Sequence, residues 1–256
     1  MLSTRVPLRV SFVGGGTDLL PFASEYGGCV VAAAIDKYVR IYDDYIQFPF
    51  NNCSGLGTSA AIAVAKLKLV FPNLSDKTLF KVAVQVENFG QQDQAMAIIA
   101  GFQSLTFSDY DFQALPLIPP QNFEKRLALV YLGKRTKDAS TILRDEIYQI
   151  KTNKEVRYAL MESKDLAFEA TKAIVNQDID TFIKLVKEGW KVKKRHSSNI
   201  CTPPIQAAQE HFMKLGAQAF KLCGAGSGGY ALLIKPEDLD IGIPIRFAYQ
   251  GVSLEA

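Results

Sequence analysis

A glycine-rich loop that carries hydroxyl side chains is the feature that most constrains this chain. It reads Ser54-Gly55-Leu56-Gly57-Thr58-Ser59-Ala60-Ala61 and leads directly into the apolar, alanine-rich stretch 60–70. Two glycines allow backbone N–H groups to turn toward one point, and a helix that starts at Thr58 or Ser59 adds its N-terminal donors and positive dipole end. Such a loop is suited to a phosphate group, and its hydroxyls to a phosphate-bound Mg²⁺. The alternative is an ordinary loop in which the same hydroxyls cap the helix.

The composition excludes several other classes of protein. A chain of 256 residues that is 48% hydrophobic and 21% charged can bury a sizeable core in one or two domains. No apolar run approaches the roughly 20 residues of a membrane span, and the N-terminus lacks a signal-peptide pattern. We therefore predict a soluble, cytoplasmic chain without a membrane partner. The net charge of +3 is too small to indicate a nucleic-acid partner.

The cysteines and histidines do not indicate a disulfide framework or a metal centre. The four cysteines are Cys29, Cys53, Cys201 and Cys223, and no two of them form a Cys-x-x-Cys pair. Reduced thiols in the core or in loops are therefore expected. With only two histidines in the chain, a histidine-based metal centre is not expected.

The hydrophobic pattern predicts an α+β fold. Predicted strands cover Val6–Val13, Cys29–Ile35, Tyr38–Phe48, Phe102–Phe107, Leu127–Leu132, Ala219–Cys223 and Tyr230–Ile234. Predicted helices cover Ser59–Val70 and Asp76–Asn88, the second capped by Ser75, and the stretch 138–215 is mainly helical with breaks near Asn176 and at Thr202-Pro203-Pro204. We place a domain boundary near Lys125.

Two further glycine clusters permit a test of the dinucleotide-binding alternative. They are Gly14-Gly15-Gly16-Thr17-Asp18 and Gly224-Ala225-Gly226-Ser227-Gly228-Gly229. The second cluster matches the spacing of the dinucleotide fingerprint, but that motif needs a following helix, and residues 230–234 are typical of a strand. In the first cluster Leu19 stands where the third glycine belongs, and no Gly-Lys-Ser/Thr of a Walker A motif occurs. The chain is therefore neither a dinucleotide-binding nor a Walker-type protein.

The three clusters, in this order, resemble the motifs of the GHMP sugar and metabolite kinases. The residues that carry the resemblance are 7–18, 55–61 and 224–229. Within that superfamily the likeness is greatest to the D-glycero-D-manno-heptose 7-phosphate kinases, and it rests on residues 14–18, 35–39, 90–94 and 189–194. The resemblance spans most of the chain.

The resemblance implies the fold and the activity. It implies a two-domain GHMP kinase fold, with a ribosomal-protein-like part over 1–125 and a ferredoxin-like part over 126–256. It also implies that ATP is held by the glycine loop and that a sugar hydroxyl is phosphorylated in the cleft between the domains. The expected acceptor is the anomeric hydroxyl of D-glycero-D-manno-heptose 7-phosphate, and a homodimer is left open. The alternatives are a fucose, galactose or mevalonate type of kinase, or a non-catalytic GHMP-fold protein that binds nucleotide or sugar.

The resemblance also assigns roles to individual residues. Asp93 is the expected catalytic base, Arg9 steadies it or the transferring phosphate, and Asp18 accepts a sugar hydroxyl. The alternatives are an N-cap for each aspartate and a surface ion pair for Arg9. Ser59 and Glu87 are the expected Mg²⁺ ligands, although Glu87 also fits an ordinary solvated helix position. The nucleotide-binding residues are Ser54, Gly55, Leu56, Gly57, Thr58, Ser59 and Ala60, and the substrate-binding residues are Gly15, Gly16, Thr17, Asp18, Arg135, Gly226 and Ser227.

An acceptor that already carries a phosphate needs basic residues outside the nucleotide loop. Arg135 follows the predicted strand 127–132, and its planar guanidinium can hold a phosphate through two hydrogen bonds. A second basic cluster, formed by Lys191, Lys193, Lys194 and Arg195, lies beside Trp190. A solvated helix end explains that cluster equally well, so Arg135 is the preferred phosphate ligand.

Two intervals are shorter than in the family. The stretch from Phe48 to the glycine loop is too short for the usual strands and adenine-contacting segment, and Gly90 leads directly into Gln91-Gln92-Asp93. Either these segments are deleted or they are absent from the printed residues, and the intact motifs favour the second explanation. No adenine-contacting residue is therefore predicted. Gln91 also replaces a lysine that is usual in the heptose kinases.

Overall fold

The structure is a computed structural model that describes residues 3–42, 45–52, 54–87 and 89–255. In chain order its elements are β1 (Ser3–Val13), α1 (Leu20–Tyr26), β2 (Gly28–Ile41), β3 (Ile46–Gln47), α2 (Thr58–Val70), α3 (Asp76–Glu87), α4 (Gln92–Ile99), β4 (Phe102–Ser108), β5 (Asp111–Pro116), a 3-10 helix (Phe123–Arg126), β6 (Leu127–Tyr131), α5 (Ala139–Thr152), α6 (Lys154–Val175), α7 (Ile179–Lys193), α8 (Pro203–Lys214), β7 (Ala219–Leu222), β8 (Tyr230–Ile234), β9 (Ile243–Pro244) and β10 (Ser253–Glu255).

The first sheet contains six strands among the described residues. Its order is β10-β1-β2-β4-β5, with β3 paired to β2, and all of its neighbouring strands are antiparallel. The predicted strand Val6–Val13 is confirmed and begins three residues earlier, at Ser3. Nearly every residue of β1 is buried, because α2, α4, α6 and α7 all pack against it. This strand therefore holds its side chains rigidly at the centre of the molecule.

The second sheet is antiparallel and has the order β7-β8-β6-β9 within the described residues. The chain then returns to the first sheet, where β10 pairs with β1 and Phe247 bridges to Ile35. The division of the chain at residue 125 stays a prediction. It coincides with the 3-10 helix that precedes β6.

The two halves of the chain share one aromatic core. The rings of Phe12, Phe102, Phe123, Phe182 and Phe247 contact one another, with centroids 5.4 Å apart for Phe12 and Phe102 and 5.7 Å apart for Phe123 and Phe182. They come from β1, β4, the 3-10 helix, α7 and the segment between β9 and β10. Since such pairs bury large apolar areas in fixed geometries, this core holds the two halves together around the site described below.

The first region after α1 differs from the prediction of two separate strands. Cys29–Ile35 and the start of Tyr38–Phe48 form one continuous strand, β2, followed by the short β3. The register against β1 jumps from Pro7 opposite Tyr38 to Leu8 opposite Ile35, so residues 36–37 are extra residues in a bulge. The predicted strand also included residues 43–44, which lie outside the described residues. No further described strand separates β3 from the glycine loop.

The predicted helices are confirmed with small changes in their bounds. Helix α2 begins at Thr58, the earlier of its two predicted starts, and α3 ends at Glu87, while Asn88 lies outside the described residues. Ser75 accepts a hydrogen bond from Thr78 N at 3.2 Å, as its predicted capping role requires. The breaks at Asn176 and Thr202 are present, and a third occurs at Asn153, whose side chain accepts from Glu155 N and caps α6.

Two further predictions concern the cysteines and the absence of a membrane-spanning helix. Cys29, Cys201 and Cys223 are free thiols, while Cys53 lies outside the described residues. Among the helices of the described ranges, none combines the length and the apolar character needed to cross a bilayer.

Candidate active site

A cleft of about 480 Å³ lies where the three glycine clusters meet. Its walls come from β1, the turn 14–18, the glycine loop 54–59, the start of α4, the segment around Arg135 and the last turn of α7. The cleft is large enough for a small ligand. The three motifs that lie far apart in the sequence therefore converge on one cavity.

The glycine loop ends in an open helix N-terminus. Gly55 and Gly57 have φ values of +94° and +76°, a conformation that side-chain-bearing residues rarely adopt. Gly57 is the N-cap of α2, which begins at Thr58, so the predicted helix start is confirmed. The alternative in which Thr58 or Ser59 caps the helix is wrong, because the cap residue is a glycine. The positive end of the helix dipole therefore points toward the cleft without a capping side chain over it.

The third glycine cluster packs against this loop. A Cβ placed on Gly224 would lie 2.8 Å from Gly55 Cα, and one placed on Gly229 would lie 2.5 Å from Ser54 O. The backbone N–H of Tyr230 donates to Ser54 O at 3.2 Å. The two clusters thus pack backbone to backbone, an approach that side chains would prevent.

Arg9 and Asp93 form a two-point ion pair next to the loop. Arg9 Nε donates to Asp93 Oδ1 at 2.7 Å and Nη2 donates to Oδ2 at 2.8 Å, while Nη1 donates to Gly55 O at 2.6 Å. The Arg9 side chain is 4% exposed and that of Asp93 is 28% exposed, so the carboxylate keeps one face toward the cleft. A Cβ on Gly57 would lie 3.2 Å from Arg9 Cγ and 3.4 Å from Asp93 Cγ. The pair therefore lies directly against the glycine loop.

Both local alternatives for these two residues are wrong. Arg9 is buried, so it is not a surface ion-pair partner. Asp93 lies inside the first turn of α4, whose N-cap is Gln91, so Asp93 is not the cap. The structure brings the two residues together as the family resemblance implies, and their catalytic roles are taken up below.

Asp18 is buried at the start of α4. Its carboxylate accepts from Gly16 N at 3.1 Å, Gln91 N at 3.0 Å and Gln92 N at 3.1 Å. Burial and the nearby charge of Asp93 raise the pKa of Asp18, against the effect of these backbone hydrogen bonds. The predicted alternative, an N-cap of the short following helix, is wrong because Leu19 precedes α1. Asp18 instead ties the turn 14–18 to the helix that carries Asp93.

Ser59 and Glu87 meet beside the glycine loop. Ser59 Oγ donates to Glu87 Oε2 at 2.9 Å, and Glu87 is half-buried rather than freely solvated. Burial raises the pKa of Glu87, the Ser59 hydrogen bond opposes that rise, and the charge of Asp93 adds to it. A hydroxyl and a carboxylate are the oxygen ligands that Mg²⁺ takes, so these two residues beside the glycine loop fit the ion.

Arg135 lies beside both glycine clusters rather than at the far end of the cleft. Its Nη2 would be 3.4 Å from a Cβ on Gly55 and 2.9 Å from one on Gly224. Burial and the charge of Arg9 lower the pKa of Arg135, and Asp93 acts in the opposite direction. Ser227 does not line the cleft but shares a 2.5 Å hydrogen bond with the Thr136 hydroxyl, so it braces the segment that carries Arg135.

The remaining predicted site residues divide into two groups. Those that line the cleft are Gly15, Gly16, Ser54 and Thr58. Those that do not line it are Leu56, Ala60, Thr17 and Gly226, all of which are buried. Thr17, for example, accepts a hydrogen bond from Cys29 N at 3.0 Å and so holds the turn 14–18 to β2.

Two parts of the chain match models of one protein family. Residues 22–101 match the GHMP kinases N terminal domain, and residues 170–241 match the GHMP kinases C terminal domain. The first range contains the glycine loop and Asp93, the second contains the third glycine cluster, and together they cover more than half of the chain. This chain belongs to the GHMP kinase family. Its predicted α+β GHMP kinase fold is confirmed.

Relatives of this GHMP kinase include sugar kinases. The D-glycero-alpha-D-manno-heptose 7-phosphate kinase of Campylobacter jejuni is 22% identical, over 90% of this chain and 88% of that protein. A crystal structure of a D-glycero-D-manno-heptose 1-phosphate kinase from Bacteriodes thetaiotaomicron has a TM-score of 0.71 at 18% identity and covers 100% of this chain and 99% of its own. The Lactococcus lactis galactokinase complexed with galactose has a TM-score of 0.71 at 14% identity, with 98% and 95% coverage. These two structures show that the fold is shared.

The cleft of this GHMP kinase also contains residues that the sequence reasoning missed. Glu146 and Lys221 line it together with Lys193, which the sequence had placed only in an undecided basic cluster. The sequence contains one indication that Glu146 is buried. It lies four residues from each of the buried Ile142 and Ile150, on the apolar side of α5. A carboxylate at such a position is rarely buried without a partner.

Proposed function

We propose that this protein transfers the γ-phosphoryl group of ATP to a hydroxyl of a sugar or sugar phosphate. The proposed acceptor is the anomeric hydroxyl of D-glycero-D-manno-heptose 7-phosphate. The observation that supports the proposal most directly is the Arg9–Asp93 pair, which lies against Gly57 at a phosphate-binding helix N-terminus. The heptose acceptor rests on the sequence motifs and on the activity named for the Campylobacter relative.

The residues supply what phosphoryl transfer requires. The acceptor oxygen forms a bond to the γ-phosphorus as the bond to the β–γ bridging oxygen breaks, and the hydroxyl proton passes to Asp93. Arg9 fixes the orientation of that carboxylate through two hydrogen bonds and is itself anchored to Gly55 O. The amides of the glycine loop stabilise the phosphate charge, because they are already oriented before the substrate binds.

Magnesium fits beside the loop. Ser59 and Glu87 would hold the ion, which supplies neutralisation of the phosphate charge when bound. Their 2.9 Å hydrogen bond already brings together an oxygen from the start of α2 and an oxygen from the end of α3. These residues therefore orient the nucleotide relative to Asp93.

We expect ATP with Mg²⁺ to raise the Tm of the protein and to be converted to ADP most rapidly when heptose 7-phosphate is the acceptor. Ligand that binds the folded state stabilises it by mass action, by about 3 kcal/mol at a hundred times Kd. The measurements are thermal unfolding with millimolar nucleotide and ADP release over a panel of heptose 7-phosphate, fucose, galactose and mevalonate. Adenosine lacks phosphates, so it is the control for phosphate binding by the glycine loop.

The outcomes separate the alternatives. Faster ADP release with fucose, galactose or mevalonate would move the assignment to that type of GHMP kinase. A Tm shift without ADP release for any acceptor would favour a non-catalytic binding protein. The absence of both would contradict the kinase proposal.

The change Arg135→Ala tests which phosphate this side chain binds. Its place beside Gly55 and Gly224 supports contact with the nucleotide, so we expect KM for ATP to rise by about 10-fold to 100-fold, the equivalent of one charged hydrogen bond. KM for the acceptor should change by less than about twofold on the same reasoning. The exposed neighbour Lys134→Ala is the matched control. The opposite pattern would support the sequence-based hypothesis that Arg135 binds the acceptor phosphate.

A further inference from the structure

The part of the cleft next to the turn 14–18 is built on a buried polar network. Lys193 Nζ donates to Glu146 Oε1 at 2.6 Å, and His196 Nδ1 lies 3.1 Å from the same oxygen. On its other side His196 Nε2 is 3.1 Å from Ser163 Oγ. Glu146 and His196 have no exposed surface, and Glu146 Oε2 has no hydrogen-bond partner among the described residues.

This network is costly to bury and is not explained by stability. Removing two charges from water offsets most of the attraction between them, so a buried ion pair is weak evidence for stabilisation. Burial would raise the pKa of Glu146, but the charge of Lys193 and the hydrogen bond from His196 lower it to about 2. Burial and the charge of Lys193 lower the pKa of His196. The network therefore consists of an ionised Glu146, a charged Lys193 and a neutral His196 at neutral pH.

Lys193 differs from its basic neighbours on the same helix end. Lys191 pairs with Glu188 at 2.8 Å and Arg195 pairs with Glu162 at 2.6 Å, both on the exposed surface. Of these three residues Lys193 alone lines the cleft, and it is 7% exposed. Lys191 and Arg195 therefore fit the interpretation of a solvated helix end, and Lys193 does not.

The ammonium group of Lys193 lies directly beneath the turn 14–18. A Cβ on Gly16, whose φ is +101°, would be 2.8 Å from Lys193 Nζ and 2.7 Å from Glu146 Oε1. Glycine is favoured there because other residues rarely adopt this φ, and a Cβ would also displace the ends of the Glu146 and Lys193 side chains. The turn that carries Asp18 and the end of α7 therefore close around the same space.

A second lysine faces this space without a carboxylate partner. Lys221 Nζ donates to Ser11 Oγ at 3.0 Å, and no carboxylate of the described residues forms an ion pair with it. Burial lowers its pKa to about 8, the nearby charges of Lys193 and Arg9 contribute to the shift, and Cys223 and Asp18 act against it. Because Glu146 pairs with Lys193 and Asp93 pairs with Arg9, Lys221 has no ion-pair partner of its own among the described residues, and the remaining carboxylate here, that of Asp18, is held by backbone N–H groups.

We propose that Lys193 and Lys221 bind the phosphate group that the acceptor already carries, and that Glu146 and His196 position Lys193 for this contact. The proposal rests on the proposed kinase function and goes further by placing the acceptor phosphate at this part of the cleft instead of at Arg135. A buried cation without a partner is expensive, and an anionic ligand removes that cost. Lysine is a common ligand for phosphate because its ammonium is a compact charge with three donors.

The test compares Lys193→Met with the matched control Lys191→Met on two acceptors, heptose 7-phosphate and unphosphorylated heptose. For Lys193→Met we expect KM for heptose 7-phosphate to rise at least tenfold, while KM for the unphosphorylated sugar and for ATP changes by less than about twofold, because only the phosphorylated acceptor loses a charged contact. The control should leave all three values unchanged. An equal rise for both acceptors, or no rise for either, would overturn the proposal.

Glu146→Gln tests the positioning role. It removes the charge that anchors Lys193, so KM for heptose 7-phosphate is expected to rise several-fold more than KM for the unphosphorylated sugar. A general loss of activity on both acceptors would show a structural role instead. Lys193→Arg keeps the charge and is the second variant, for the case in which the Tm shows that Lys193→Met does not fold. It should bind heptose 7-phosphate more tightly than the uncharged variants Lys193→Met and Lys193→Gln.

Calorimetry separates this proposal from the kinase assignment. Binding of heptose 7-phosphate and of inorganic phosphate is measured without nucleotide, so the subsite is tested even where no acceptor turns over. Binding to the natural protein that is lost in Lys193→Met supports the subsite, whatever the outcome of the ADP assay. The failure of both phosphate probes to bind the natural protein would overturn it, while a nucleotide-dependent Tm shift would still support the kinase.

Discussion

Replacing Asp93 by asparagine should lower kcat by roughly 10²-fold to 10⁴-fold, the usual contribution of a general base. Asparagine keeps the shape of the side chain but removes the charge and the ability to accept the hydroxyl proton. Because the glycine loop and Ser59 are unchanged, KM for ATP and the nucleotide-dependent Tm shift should remain nearly the same. The measurement is steady-state kinetics with the acceptor that gives the fastest ADP release.

The surroundings of Asp93 provide the control for this change. Arg9 donates two hydrogen bonds to the carboxylate, and asparagine can accept only part of this pattern. Arg9→Lys keeps the positive charge but loses the two-point geometry, so a smaller fall in kcat is expected from loss of orientation alone. Turnover of Asp93→Asn close to that of the natural protein would remove Asp93 from the chemistry.

Replacing Gly57 by valine is expected to abolish the ATP-dependent rise in Tm. Gly57 has a φ of +76°, and its Cβ would lie 3.2 Å from Arg9 Cγ and 3.4 Å from Asp93 Cγ, at the point where the loop meets the cleft. A branched side chain there would prevent phosphate from approaching the backbone amides of the loop. Thermal unfolding with and without millimolar ATP and Mg²⁺ measures the effect.

Strain alone must be separated from loss of the phosphate site. Gly216→Val is the matched control, because Gly216 also has a positive φ, +104°, and lies after α8, where the nearest atom to an added Cβ is Leu239 Cδ2 at 3.5 Å. Both variants should have a lower Tm in the absence of nucleotide, by about the cost of one strained residue, roughly 1–3 kcal/mol. We expect Gly216→Val to keep the nucleotide-dependent shift. If Gly57→Val kept it as well, the loop would not be the phosphate site.

Features that depend on short stretches of chain could be predicted from the sequence. The start of α2 at Thr58 follows from the glycines and the apolar run after them, both of which are local signals. The rejection of a dinucleotide fold followed from the apolar run 230–234, and β8 occupies that run. The pairing of Arg9 with Asp93 is different, because 84 residues separate the two and only the family motifs connected them.

Features that depend on which elements pack together could not be predicted in this way. The backbone N–H groups of Gln91 and Gln92 at the start of α4 donate to Asp18 from a distant turn, whereas local signals predict that each aspartate caps its own neighbouring helix. Glu146 is an isolated polar residue on an apolar helix face, and its partners Lys193 and His196 lie 47 and 50 residues away. The sequence likewise could not show that Arg135 Nη2 lies beside Gly55 and Gly224, and its predicted binding of the acceptor phosphate stays a prediction.

The sequence by itself determined the glycine loop that leads into α2, most of the longer strands and helices, and the family, because each depends on residue type at close spacing. The tertiary structure decided what the charged residues face. It placed Lys193 under Gly16 while its neighbours Lys191 and Arg195 point to the surface, and it left Lys221 buried without a carboxylate. The physical reason is that burial and the partners of a charge depend on elements far apart in the chain, whereas the positive φ that a tight loop needs is open to glycine because of its residue type alone.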